Sequence, residues 1–296
     1  MRLGFVGLGQ MGRHMARRLT EKSGGSMAVY DVSPAACDGF REIGARTLAR
    51  VEEIAGCDIV FLSLPDTKIV EQTVERIGGD LQSGQVIVDL STIGYLATLE
   101  LARRLGERGV AFLDAPVSGM EARARDGTLT VMCGGDAAVF ERVRPYLAHI
   151  GNQIFHMGAV GSGQLAKLIN QLLFDINAAA LAEILPMAAR LGLDCEKTGA
   201  IVNSGTGRSY ASEFFIPRIL TRDFSQGYPL AHAYKDLISA AELSANRTFP
   251  LPVLHAAAAT YQQALLEGFG KEDKGAMIKV YERLLGVEFR AGRQGE

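Results

Sequence analysis

Short apolar runs alternate with amphipathic stretches from Met1 to about Gly161. Runs at Leu3 to Val6, Met27 to Tyr30, Ile59 to Leu64, Val86 to Leu90, Ala111 to Leu113, Leu129 to Cys133 and Gln153 to His156 have the length and apolar character of buried strands. Helical stretches separate them, the pattern of a mostly parallel, doubly wound sheet covered by helices. The glycine-rich segment Gly158-Ala159-Val160-Gly161-Ser162-Gly163 then breaks the alternation. Beyond it the pattern is wholly helical. Gln164 to Leu191 is apolar nearly all round, which suits a long helix buried between domains or subunits, and Pro186 is expected to kink it. Further helices are expected near Cys195 to Asn203, Tyr210 to Leu220, Leu230 to Asn246, Val253 to Glu267 and Gly275 to Leu285. The expected organisation is an α/β domain over residues 1–161 and an all-α domain over 162–296, joined by the long helix. The polar end from Arg290 to Glu296 is expected to fray.

The first candidate chemistry lies where the first strand ends. Gly7-Leu8-Gly9-Gln10-Met11-Gly12 follows an apolar strand and opens a helix, the context in which this glycine spacing binds a dinucleotide. Context matters here, because a chain with 34 glycines can hold such spacing by chance. Asp31 closes the next strand, where a carboxylate can accept hydrogen bonds from ribose hydroxyls and repel a 2′-phosphate. Val32-Ser33-Pro34 offers no arginine to attract one, so NAD is expected over NADP. The competing role for Asp31 is to cap a helix beginning near Pro34.

Bulk properties narrow the field without choosing a reaction. Apolar residues make up 48% and charged residues 22% of the chain, and the mean hydropathy is +0.11, as in ordinary globular proteins. A net charge of −2 leaves no footprint for nucleic acid. Asp175, Glu183 and Pro186 argue against a membrane span in the most apolar window. Cys37, Cys57, Cys133 and Cys195 lack paired spacing and read as reduced thiols of a cytoplasmic protein. The five histidines show no ligand spacing, so no metal is expected.

Three further strand ends carry polar or turn residues: Leu64-Pro65-Asp66, Asp89-Leu90-Ser91-Thr92 and Asp114-Ala115-Pro116-Val117-Ser118-Gly119. In an open α/β sheet such ends converge on one crevice. Four blocks make the pattern specific: Gly4 through Gly12, Asp114 through Gly119 with Gly127-Thr128-Leu129 behind it, Gly163-Gln164-Leu165-Ala166-Lys167-Leu168-Ile169-Asn170, and Tyr234-Lys235-Asp236-Leu237. In these blocks the chain resembles the β-hydroxyacid dehydrogenase family almost from end to end. The resemblance implies an N-terminal Rossmann domain, an all-α C-terminal domain, and a homodimer or homotetramer built through the helical half. It implies that Lys167 is the general acid/base and that Ser118 and Gly119 hold the carboxylate of a small hydroxy acid. Thr92 then lies near the nicotinamide ribose, Leu64 and Pro65 lie under the cofactor, and Lys235 reaches back toward it.

A lysine suits this chemistry because hydride delivery to an aldehyde leaves charge on oxygen, which an ammonium can protonate. The pattern alone leaves another reading open, in which Lys167, Gln171 and Asp175 mark the wet face of a helix. The chain also departs from the family. Gln171 stands where an asparagine that binds substrate beside Asn170 is usual, and Met120 and Arg123 stand at usual glycines. Arg123 is a candidate partner for a second substrate carboxylate. Arg208, in a glycine-rich connection, either faces the substrate or ties its loop down. The alternatives are an imine or other carbonyl reductase of the same architecture, disfavoured by Lys167, and a non-catalytic NAD-binding sensor or scaffold, disfavoured by Lys167 with Ser118.

Overall fold

The computed structural model describes residues 1–22 and 27–292. Of the polar end expected to fray, residues 293–296 lie outside the described residues. The chain divides into two compact units, Met1–Lys167 and Leu168–Glu296.

In the first unit, β1 (Leu3–Val6) leads into α1 (Gly12–Lys22), β2 (Met27–Tyr30), the two-residue β3 (Arg46–Thr47), β4 (Ile59–Leu62), α2 (Thr67–Gly78), β5 (Val86–Asp89) and α3 (Tyr95–Gly106). There follow β6 (Ala111–Asp114), the two-residue β7 (Val117–Ser118), α4 (Met120–Asp126), β8 (Leu129–Gly134), α5 (Ala137–Leu147) and β9 (Gly151–Gly158). The strand order begins β3-β2-β1-β4-β5-β6, all parallel; β8 then runs antiparallel to β6 and β7 and parallel to β9. β1, β4 and β5 are buried at every position, which explains why they read as continuous apolar runs rather than alternating ones. Successive residues still point to opposite faces. Phe5, Ile59, Phe61 and Val88 join one core with Met15 and Leu19 of α1, while Val6, Val60, Leu62 and Ile87 join the other with Val70 and Ile77 of α2. Aspartates start two of the helices: Asp66 accepts from Ile69 N at 2.9 Å, and Asp136 accepts from Ala138 N and Val139 N. Because β1 pairs with β2 on one side and β4 on the other, the order in which strands are added reverses between β1 and β4, which opens a crevice at their carboxyl ends.

α6 (Ser162–Arg190) starts in the first unit and continues into the second. It runs through Pro186 as one 29-residue helix, long and apolar enough by composition to cross a membrane. Its Ala178, Ala179, Ala182, Leu185 and Ala188, however, lie in the core of the helical unit with Phe215, Ile219, Leu237, Tyr261 and Met277. The unit is completed by α7 (Cys195–Ser204), α8 (Tyr210–Leu220), α9 (Leu230–Arg247), α10 (Pro252–Leu266) and α11 (Ile278–Leu285). The helix expected from Gly275 instead opens as a 3-10 turn over Lys274–Met277, where Asp273 accepts from Gly275 N at 2.8 Å. Two charged groups lie buried in this unit as a pair, Asp175 of α6 and Lys274 of the 3-10 turn.

Candidate functional site

The turn after β1 is built as its glycines require. A Cβ on Gly7, whose φ is +95°, would lie 2.2 Å from the Ser63 carbonyl oxygen, and one on Gly12 would lie 2.0 Å from the Gly7 carbonyl oxygen. Those two glycines are demanded by the protein's own packing. A Cβ on Gly9 would meet nothing within 4 Å among the described residues, so the space beside the turn is open to a ligand. Together with the N-terminus of α1, this cradle fits a pyrophosphate. Asp31 does not cap the following 3-10 turn, whose N-cap is Ser33. Its Oδ2 accepts from Leu8 N at 2.7 Å and its Oδ1 from Ser33 N at 2.8 Å, so it holds the glycine turn while remaining partly accessible.

The ends of β4, β5 and β6 are tied into one edge. Leu64 N donates to Ser91 Oγ at 2.9 Å, and Ala115 N donates to the Asp89 carbonyl oxygen at 2.7 Å. Leu64, Pro65 and Thr92 thus belong to adjoining loops, with Thr92 exposed between two anchored neighbours. Asp89 is fully buried and accepts from Ser91 N at 3.0 Å, while its Oδ2 has no hydrogen-bond partner. Burial pushes its carboxyl up to about 7, with Asp114 adding to the rise and Ser91 opposing it.

Asp114 performs a different task from the same register position on β6. Its Oδ1 accepts from Gly161 N at 2.7 Å and its Oδ2 from Gln164 N at 2.9 Å, so a buried carboxylate receives backbone donors at the start of α6. Burial raises its pKa, and these donors oppose the rise. Gln164, 3% exposed, donates from Nε2 to the Ser91 carbonyl oxygen at 2.8 Å and accepts from Ile93 N at 3.2 Å. One turn further along α6, Lys167 is only 8% exposed. The wet-face reading of this helix therefore fails, since both Lys167 and Asp175 are buried.

Ser118 ends β7, and Gly119 at φ +140° and Met120 at φ +62° turn the chain into α4. Met120 thus adopts a left-handed conformation that favours glycine. Arg123 donates to the Thr128 carbonyl oxygen, which holds the two ends of this loop together. Glu121 accepts from Gln10 Nε2 at 2.8 Å, from Arg13 Nη2 at 2.6 Å, and meets His14 Nε2 at 2.8 Å. The bonds from His14, Arg13 and Gln10, in that order, bring its carboxyl down to about 2. α4 is thereby fastened to the glycine turn and α1.

The remaining candidates lie in the helical unit. Asn170 is exposed and Gln171 half-buried on α6, and Lys235 is exposed on α9. Arg208 pairs with Glu213 at 2.8 Å, which ties its own loop down. Sequence reasoning did not foresee Glu121 or the side-chain roles of Gln164 and Ser91. Gln164 carried a usable signal, a polar residue one turn before a lysine at the start of an otherwise apolar helix. Glu121 carried none, since its partners lie more than a hundred residues away in sequence.

Comparisons with known proteins show the family. The family model described as the NAD binding domain of 6-phosphogluconate dehydrogenase matches residues 2–158. The model described as the NAD-binding region of NADP-dependent 3-hydroxyisobutyrate dehydrogenase matches residues 161–281. The chain is 37% identical to 2-(hydroxymethyl)glutarate dehydrogenase of Eubacterium barkeri, over 99% of both chains. It is 34% identical to 2-hydroxy-3-oxopropionate reductase of Escherichia coli, over 95% of this chain and 97% of that one. Among solved structures, a 3-hydroxyisobutyrate dehydrogenase from Salmonella typhimurium superposes with a TM-score of 0.86 at 31% identity, covering 95% of this chain and 99% of the other.

Proposed function

Because this chain belongs to the β-hydroxyacid dehydrogenase family, nicotinamide-dependent oxidoreductases, we propose that it interconverts a small β-hydroxy acid and its semialdehyde, with Lys167 as general acid/base. The observation that carries the reading is a lysine withdrawn from water at a helix start anchored to the edge of a nucleotide-binding sheet. The residues that would hold the cofactor are Gly7, Leu8, Gly9, Gln10, Met11 and Gly12 at the pyrophosphate, Asp31 at the ribose, and Leu64, Pro65, Thr92 and Lys235 around the nicotinamide half. When bound, the nicotinamide supplies or takes the hydride at the substrate's reacting carbon. In the reduction, Lys167 Nζ donates a proton to the oxygen that gains charge; in the oxidation, its neutral amine takes the hydroxyl proton.

NAD is the proposed cofactor. Support comes from Asp31, whose carboxylate would face a 2′-phosphate, and from Val32-Ser33-Pro34, which brings no arginine. Ser118 and Gly119 would hold the substrate carboxylate, with Asn170 and Gln171 beside it. Fixing that carboxylate fixes the reacting carbon, which is where positioning contributes to rate. Arg123 would favour a substrate with a second carboxylate. A homodimer or homotetramer through the helical half is supported by exposed Ile184, Met187, Leu191 and Leu193 along α6 and just past it. A cytoplasmic location fits four free cysteines, three of them buried.

The test is a screen of nicotinamide absorbance with NAD and with NADP over 3-hydroxyisobutyrate, glycerate, 2-(hydroxymethyl)glutarate and 4-hydroxybutyrate. Turnover of at least one acid with NAD is expected, and Arg123→Ala should weaken the dicarboxylic acid more than the monocarboxylic ones. Failure of all four acids with both cofactors would overturn the substrate class. A strong NADP preference would overturn the role given to Asp31, and an equal effect of Arg123→Ala on both kinds of acid would remove its second-carboxylate role.

A further inference from the structure

The amide of Gln164 makes a pair of hydrogen bonds that imitates a strand rung. Nε2–H donates to the Ser91 carbonyl oxygen and Oε1 accepts from Ile93 N, so the amide spans the residues on either side of Thr92. Its own backbone N–H is meanwhile fixed to Asp114. Ser91 in turn receives Leu64 N on its hydroxyl. The loops after β4 and β5, the end of β6 and the first turn of α6 are therefore linked through one buried residue, three residues before Lys167. The helix start has little freedom to compensate. A Cβ on Gly163 would come within 2.3 Å of the Met132 carbonyl oxygen and 2.8 Å of Asp114 Oδ2.

We propose that Gln164 is a positioning residue whose side-chain amide fixes Thr92, on the cofactor side, at a set distance from Lys167, on the proton-donating side. Any polar residue at this place could satisfy part of the buried loop. Only a group with one donor and one acceptor in the same plane can hold Ser91 O and Ile93 N together. Loss of that group lets the loop and the helix shift independently. A displacement of about 1 Å at a reacting centre costs on the order of 100-fold in rate. The inference rests on the reading of Lys167 as proton donor.

The experiment compares Gln164→Met, Gln164→Glu and Lys167→Ala with the wild-type holoenzyme, using whichever hydroxy acid turns over. In Gln164→Met, kcat should fall by about 10–100-fold while cofactor affinity stays within about threefold, and the substrate deuterium isotope effect on kcat should rise because hydride transfer has become limiting. Gln164→Glu gives a signature that a merely structural role would not. A protonated glutamic acid has the donor and acceptor of the native amide, whereas the carboxylate offers only acceptors toward Ser91 O. The titratable groups on the elements it joins are Asp89 on β5, Asp114 on β6 and Lys167 on α6 itself, all present in the wild type, so the ratio of variant to wild-type kcat cancels their own titration. That ratio should climb as pH falls. If Gln164→Met does not fold, this ratio alone decides. A Gln164→Met kcat within threefold of wild type, an unchanged isotope effect, or a Gln164→Glu ratio flat with pH would overturn the inference while Lys167→Ala still loses turnover. Undiminished turnover in Lys167→Ala would instead overturn the reading of the lysine, and the inference with it.

Discussion

The carboxyl edge of the sheet and the contact of α6 with the 3-10 turn bury carboxylates in opposite ways. At the carboxyl edge of the sheet, Asp89 and Asp114 are answered by backbone N–H groups of Ser91, Gly161 and Gln164, and both carboxyls are pushed up in pKa. In the helical unit, Asp175 is answered by the ammonium of Lys274, which also lies 4.0 Å over the Phe174 ring. The difference separates two uses of buried charge. N–H donors belong to the chain, so a carboxylate that collects them fixes loops and a helix start. An ion pair belongs to two side chains, so it fixes the register of one helix against one turn.

The largest effect should come from splitting the ion pair. Asp175→Ala alone leaves an ammonium buried without its counter-charge and should cost about 3–5 kcal/mol of unfolding free energy. Asp175→Leu combined with Lys274→Met should recover most of that loss, as read by chemical denaturation. A single-variant cost below about 1 kcal/mol would erase the contrast between the two sites.

Asp89→Asn tests the other side through pH. The carboxyl of Asp89 is raised from 3.8 to about 7, so the folded state keeps a proton that the unfolded chain has lost between those values, and stability falls as pH rises through this window. The asparagine variant escapes that loss. Its stability relative to wild type should improve from pH 4 upward and level off above 7, by about 2–4 kcal/mol in total. A difference independent of pH would mean that the Asp89 carboxylate is not disfavoured by the fold.

The smallest effect concerns the loop where backbone strain stands in place of buried charge. Met120 at φ +62° should cost about 1 kcal/mol relative to a residue at ease there. Met120→Gly is expected to raise the melting temperature of the first unit by a few degrees. An unchanged or lower value would place the strain elsewhere.

Much of this arrangement was legible in the chain. Buried parallel strands write themselves as apolar runs, and the glycine turn reports a steric demand that the Ser63 and Gly7 carbonyl oxygens now explain. β3 and β7 were not legible, because two residues leave no periodicity. Lys167 was legible as a candidate, but the pattern could not separate a wet helix face from a buried one. That decision belongs to the three-dimensional neighbours of α6. The ties from Glu121 to Gln10, Arg13 and His14 escaped for the same reason, since nothing local in the sequence marks a contact between α4 and α1.

The role of Lys167 is tested most sharply by the rate of hydride transfer in a single turnover of Lys167→Ala, measured with its affinity for the cofactor. With Lys167 as the proton donor, that rate falls by about 10²–10⁴-fold while cofactor binding is retained. A rate within about tenfold of the wild type, at full occupancy of the cofactor, would contradict it.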